Sequence, residues 1–164
     1  MSEIRVRKRH RLREKEIKVL SEELSQRLGV DAFPPGTPVD RAESSEFDII
    51  FINNLAEAIV YQGKLFLTVR GLLRVRPTKA AVTVDMGAVP YVTKGADVMA
   101  PGIVDADPEV RPGDLVWVKD VKNGVPLAIG EALISGEEMK AKGQGKAIKS
   151  IHFVGDKLWK LDEE

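Results

Sequence analysis

Apolar residues Ile17, Leu20, Leu24 and Leu28 recur at helical spacing between Glu14 and Leu28, and Gly29 follows them. This predicts an amphipathic helix stopped by a glycine. Upstream, R5-V-R-K-R-H-R-L-R13 is polar, with apolar insertions only at Val6 and Leu12, and reads as an exposed edge strand or arm. F33-P-P-G-T-P38 is a loop by composition. F47-D-I-I-F-I-N53 reads as a strand, and A56 to R70 as a hairpin turning at Gln62-Gly63. A basic link, L72-L-R-V-R-P-T-K79, then leads into the second half.

There the pattern changes to short strands at close spacing. V82-T-V-D-M86 predicts a strand, and Ala88 to Lys94 about two helical turns, with Pro90 in the first and Gly95 at a left-handed end. L115-V-W-V-K-D-V121 and V125 to Ile134 read as strands joined by Asn123-Gly124. Ser135 and Glu138 fit a capping box, opening a short helix closed by Gly143. K146 to V154 is another strand, G155-D-K157 a turn, and L158-W-K-L161 a final strand. The fold class expected is α+β. A small α+β domain over 1–76 precedes a compact barrel with two small helices over 77–164.

Composition narrows the function classes. The chain has 164 residues, 43% of them hydrophobic, enough to bury a core. No apolar run is long enough to span a bilayer, and the charged N-terminus shows no signal-peptide pattern. The absence of cysteine excludes disulfides, Cys-ligated zinc and thiol catalysis, and is compatible with a reducing cytoplasm. Net charge is zero, from 25 basic and 25 acidic residues, a balance that argues against a generally basic nucleic-acid surface; such contact would be local or would need a partner. The charge is segregated: 5–13 is basic and D105-A-D-P-E-V-R-P-G-D114 acidic.

Nothing in the residues reads as a catalytic centre. The two histidines, His10 and His152, lack ligand-like neighbours. The serines sit in no nucleophile-elbow pattern, and there is no Walker A sequence or G-x-G-x-x-G. G143-Q-G-K146 lacks the Lys-Ser/Thr pair of a phosphate loop. The stretch V82-T-V-D-M-G-A-V-P-Y-V-T-K-G-A-D-V-M-A-P-G-I103 concentrates three glycines between apolar runs. Gly87 and Gly95 are turn residues bracketing a helix, or they open the backbone to a phosphodiester chain beside Lys94. Tyr91 is either partly buried or a platform for a base. The arm is a charge-protected edge or a phosphate contact extended by Arg70, Arg74, Arg76 and Lys79. Trp117 and Trp159 read as core or barrel-closing residues.

The run D85 to I103, followed by G113-D-L-V-W-V, A128-I-G-E-A, K142-G-Q-G-K-A-I and D156-K-L-W159, resembles the PUA domain, an RNA-binding module, in order and over about residues 78–161. The whole chain is similar to archaeal relatives of a eukaryotic translation protein first described as amplified in malignant T cells, which join a pre-PUA domain to a PUA domain. The resemblance implies a pseudo-barrel that binds structured RNA without catalysis or cofactor. The RNA would be the tRNA acceptor or CCA end, or small-subunit rRNA, in translation initiation or ribosome recycling. It implies RNA contacts at Gly87, Ala88, Tyr91, Lys94, Gly95 and Ala96, with Lys149 from a late strand where alternation groups it with Ile151 and Phe153. Secondary contacts would come from Arg5, Arg7, Arg9, Arg11 and Arg13. Two further roles remain open: an adaptor that recruits a translation factor through the N-terminal domain, and an accessory in RNA modification.

Overall fold

The computed structural model describes residues 3–141 and 143–163, in two compact units. One unit runs up to Pro77 and takes in the residues from Lys157 onward; the other is Thr78–Asp156. Both are α+β.

The first unit is an antiparallel meander of β1 (Arg7–Arg11), β2 (Val39–Glu43), β3 (Asp48–Ile52), β4 (Leu55–Tyr61) and β5 (Lys64–Leu67), in that spatial order. The helix expected at its start is α1 (Glu14–Leu28). It buries Leu20, Leu24 and Leu28, and Gly29 closes it at φ 70°. Glu16 reaches back to accept from the Arg13 amide at 3.0 Å. This carboxylate–amide bond holds the Glu16 carboxyl below its ordinary range, more than its slight desolvation opposes. The β3–β4 and β4–β5 turns, Asn53-Asn54 and Gln62-Gly63, have positive φ at their two central residues, which matches the twist of the strands they join. The strand β2 has no clear signature in the sequence, because Asp40, Arg41 and Glu43 break its alternation.

Two predicted elements change. The segment read as the end of a hairpin and a basic link is largely α2 (Val69–Val75). Thr68 caps it by accepting from the Gly71 amide, and Val69 and Leu72 are buried. Gly71 is required there because a Cβ would overlap the Glu57 carbonyl. The predicted last strand is α5 (Lys157–Leu161), which belongs to the first unit and not to the barrel. Four residues with Leu158 and Leu161 apolar fit either period. The structure decides for the helix: Leu158 is buried, and Asp162 accepts the Ala56 amide at 3.0 Å.

The second unit is a six-stranded sheet that curls into a half-barrel. Its strands are β6 (Ala81–Val84), β7 (Val98–Met99), β8 (Ile103–Ala106), β9 (Leu115–Asp120), β10 (Pro126–Ala132) and β11 (Lys146–Phe153), in the order β7-β11-β10-β9-β6-β8. β6 and β9 are parallel and the other pairs antiparallel. Val82, Val84, Ile103, Val116, Val118 and Ile148 form its core. β10 and β11 shift register at Ile129/Gly130, where a Cβ on Gly130 would overlap the Lys149 carbonyl; a bulge here needs glycine. Trp117 is buried and donates from Nε1 to the Lys79 carbonyl at 2.8 Å.

The helix expected over 88–94 is one turn, α3 (Val89–Val92), cut short where the Thr93 hydroxyl bonds back to the Val89 carbonyl. The capping box at Ser135 and Glu138 forms and opens α4 (Gly136–Lys140). Its cap is Ala141 rather than Gly143, and Lys142 lies outside the described residues.

Candidate functional site

The three-glycine stretch lines one side of a groove of about 590 Å³ in the second unit. Asp85, Gly87 and Ala88 come from the β6–α3 turn, Tyr91 from α3, Ala96 and Asp97 from the loop after it, and Lys146 from the start of β11. The local sequence builds this shape directly. The Asp85 carboxylate accepts the Ala88 amide at 2.9 Å, which tightens the turn into α3. The Asp85 amide donates to the Gly102 carbonyl at 2.9 Å, and a Cβ on Gly102 would come 3.3 Å from that of Ala88. The glycines therefore divide in role. Gly87 and Gly102 keep the groove wall thin, whereas Gly95 is structural. Its φ is 93°, and a Cβ there would sit 2.7 Å from the Phe153 ring.

Of the residues implied by the resemblance, Gly87, Ala88, Tyr91 and Ala96 meet in this groove. Tyr91 is 68% exposed and Met99 47%; an exposed aromatic beside an apolar wall is what a base stacks on. Gly95 does not line the groove. Lys94 and Lys149 are exposed but are not among the lining residues. Lys149 pairs in register with Glu131, and its charge reaches Asp97.

Sequence reasoning missed the polar members. Asp97 accepts the Ser150 amide at 2.9 Å and lies 3.2 Å from Lys146 Nζ. The Ser150 amide is the main reason the Asp97 carboxyl is held below its ordinary range; burial opposes this, and Lys146 and Lys149 reinforce it. Lys146 closes the G143-Q-G-K146 run, so its position is visible in the sequence but its partner is not. The pairing of β7 with β11 brings Asp97 beside Lys146 and Ser150 of β11, the latter 53 positions away in the chain.

The basic arm is β1, the exposed edge of its sheet. Much of its charge is already engaged. Arg9 and Arg11 both bond Asp40, at 2.8 and 2.5 Å. Arg9 also stacks 3.9 Å from the Phe51 ring centroid, and Arg13 lies 3.4 Å from Glu16. Burial works to raise the Asp40 carboxyl, but the hydrogen bonds and charges of Arg11 and Arg9 outweigh it and hold it low. Among the described residues, Arg5 and Arg7 have no ion-pair partner.

The proposed extension through Arg70 and Arg74 is corrected, because both are structural. Arg70 lies over the Trp159 ring and 2.8 Å from Asp162. Arg74 donates to buried Glu57 at 2.5 Å and to the Ala32 carbonyl at 2.6 Å. Desolvation raises the Glu57 carboxyl despite Arg74. Trp159 accordingly belongs to the first unit and does not close the barrel. His152 is buried, with Nδ1 2.9 Å from the Asp156 carboxylate. Among the described residues no group of three or more His, Asp or Glu could hold a metal ion, and no helix is long and apolar enough to cross a membrane.

Comparison with known proteins agrees with this division. The PUA domain model matches residues 80–154, and the model of a domain of unknown function, DUF1947, matches residues 8–75. An uncharacterized protein of Methanocaldococcus jannaschii, MJ1432, is 41% identical over 94% of this chain and 96% of its own. Translation machinery-associated protein 20 of Schizosaccharomyces pombe is 31% identical over 69% of this chain and 67% of its own. The solved structure of a conserved PUA domain protein from Thermoplasma acidophilum superposes with a TM-score of 0.80 at 34% identity, covering 94% of this chain and 99% of that one. With the DUF1947 model matching the first unit, the PUA model matching the half-barrel, and one relative 41% identical over nearly its whole length, the chain belongs to the family of PUA-domain proteins that carry an N-terminal DUF1947 domain.

Proposed function

We propose that this protein is a non-enzymatic RNA-binding protein of the translation apparatus, whose PUA unit holds an unpaired segment of structured RNA, the acceptor end of tRNA in the first instance. The observation that carries this reading is the groove around Tyr91: an exposed aromatic and an apolar wall, with Lys94 and Lys149 exposed on the same unit. Stacking on an aromatic contributes about 1–3 kcal/mol per base and tolerates any base, because every base has a π-face. Phosphates would be held by the exposed lysines, and by Arg5 and Arg7 of the arm. The name of the fission yeast relative supports a place in translation. A cytoplasmic location and a partnership with the small ribosomal subunit belong to the same proposal and follow from the family resemblance of the sequence.

The test is fluorescence anisotropy with intact tRNA, the same tRNA trimmed of its CCA end, and an unrelated hairpin, at several salt concentrations. Tight binding that is lost on trimming and weakened by Tyr91→Ala supports the reading. Equal weak binding to all three, vanishing with salt, leaves only nonspecific phosphate contact and defeats it.

One observation favours the adaptor role as a second reading. The DUF1947 unit has its own groove, of about 650 Å³, lined by Leu12, Ile17, Phe33, Pro34, Pro35 and Pro38 among others. Pull-down of a translation factor that survives Tyr91→Ala and fails on Ile17→Glu would support it.

A further inference from the structure

Resting on the RNA-binding reading, we infer that the Tyr91 groove receives the terminal nucleoside of an RNA whose 3′ end is a free hydroxyl, and that it rejects a 3′-phosphate. The basis is the charge of the lining. Two carboxylates, Asp85 and Asp97, line the groove against a single cation, Lys146, and that cation is engaged by Asp97 at 3.2 Å. A phosphate cradle needs the opposite balance: free amides and uncommitted cations. The Gly-Ala pairs therefore do not form a phosphate site, although their sequence allows one.

The two acids differ in what they have left to offer. Both Asp97 oxygens are occupied, Oδ1 by the Ser150 amide and Oδ2 by Lys146. Asp85 Oδ1 accepts the Ala88 amide, while its Oδ2 takes no hydrogen bond from the described residues. An acceptor with spare capacity beside Tyr91, Met99 and Pro101 suits a neutral ligand that is planar on one side and carries donors on the other. A nucleoside with ribose hydroxyls, or with an exocyclic amine, has that form. A dianionic 3′-phosphate would face Asp85 directly, and like charges in contact are unfavourable. The exposed lysines outside the lining, Lys94 and Lys149, are left for the internucleotide phosphates.

The experiment uses the full chain and one short RNA with an unpaired C-C-A end, in three forms: 3′-hydroxyl, 3′-phosphate, and 3′-hydroxyl with the extra phosphate moved to the 5′ end. The third form holds total charge equal to the second. We expect the 3′-phosphate form to bind roughly tenfold more weakly than either other form. Asp85→Asn keeps the acceptor for the Ala88 amide and removes the charge. It should shrink that difference to within about threefold, with the melting temperature checked to show that the fold persists. Equal binding of all three forms, still weakened by Tyr91→Ala, overturns the inference and leaves the RNA-binding reading standing. A 3′-phosphate penalty unchanged in Asp85→Asn also overturns it, because the discrimination would then lie elsewhere. Binding of every form that is indifferent to Tyr91→Ala overturns both.

Discussion

At the scale of single residues, Gly95 and Asp97 both hold the PUA unit together, one through its backbone conformation and the other through its charge. Gly95 carries a left-handed backbone and abuts Phe153. Gly95→Ala should lower stability by about 1–3 kcal/mol, from the left-handed penalty and the displaced ring, read by urea denaturation. A charged residue at position 95 would therefore report on folding before it reported on RNA, and Lys94→Glu is the cleaner probe of binding. Asp97 is a linkage case. Its carboxyl is held below the ordinary aspartate value of 3.8 in the folded state. The stability it contributes is thus present above pH 3.8 and is lost as the pH falls through the folded value. Asp97→Asn should cost about 1–2 kcal/mol at pH 7 and flatten the acid limb of the stability–pH curve, measured by denaturation between about pH 2 and 7. Glu57 has the opposite sign. Burial raises its carboxyl, so its favourable contribution is complete below the ordinary value of 4.5 and declines as the pH rises through the folded value. Arg74 is what makes its ionised form tolerable: Arg74→Leu should destabilise the first unit by about 3 kcal/mol or more at pH 7, and by less at about pH 4.

At the scale of elements, β1 and the residues before it resolve into two classes of arginine that the alternating sequence does not distinguish. Arg9 and Arg11 close on Asp40, whereas Arg5 and Arg7 form no ion pair among the described residues, although Arg7 lies opposite Glu43 in register. If the strand touches RNA, Arg5→Gln with Arg7→Gln should lower the salt-dependence slope by about 0.9 for each duplex phosphate no longer neutralised, leaving the melting temperature unchanged. Arg9→Gln with Arg11→Gln should instead lower the melting temperature, because Asp40 is left without these partners. An unchanged slope in the first pair removes the strand from the RNA surface. Element identity was legible where the pattern was long: α1, with four apolar positions over 15 residues, and the β4–β5 hairpin, with its Gln-Gly turn, match their sequence patterns. It was not legible in α2 and α5, where seven and five residues give too few turns for a period to emerge.

At the scale of the whole molecule, the chain returns to its first unit at the end. α5 contributes buried Leu158, and Asp162 accepts the Ala56 amide and faces Arg70. Truncation after Asp156 should therefore weaken the first unit and spare the second. Hydrogen-exchange mass spectrometry should show lost protection over 48–67 and retained protection over 115–132. Loss across both units would mean that their stabilities are coupled.

The sequence by itself determined the α+β class, the edge character of the basic strand, the absence of thiol chemistry and the glycine-rich turn that carries the PUA resemblance. Each of these depends on local propensity, on residue type or on an ordered run of motifs, and needs no distant partner. The sign of the groove, the engaged state of Arg9, Arg11, Arg70 and Arg74, and the return of the C-terminus to the first unit were decided only by tertiary structure. A side chain's charge is read from the chain, but whether that charge is spent depends on a partner 29 residues away for Arg11, 17 for Arg74 and 53 for the Ser150 amide that Asp97 accepts. No pattern of neighbours records those distances; the pairing of strands and the packing of helices set them.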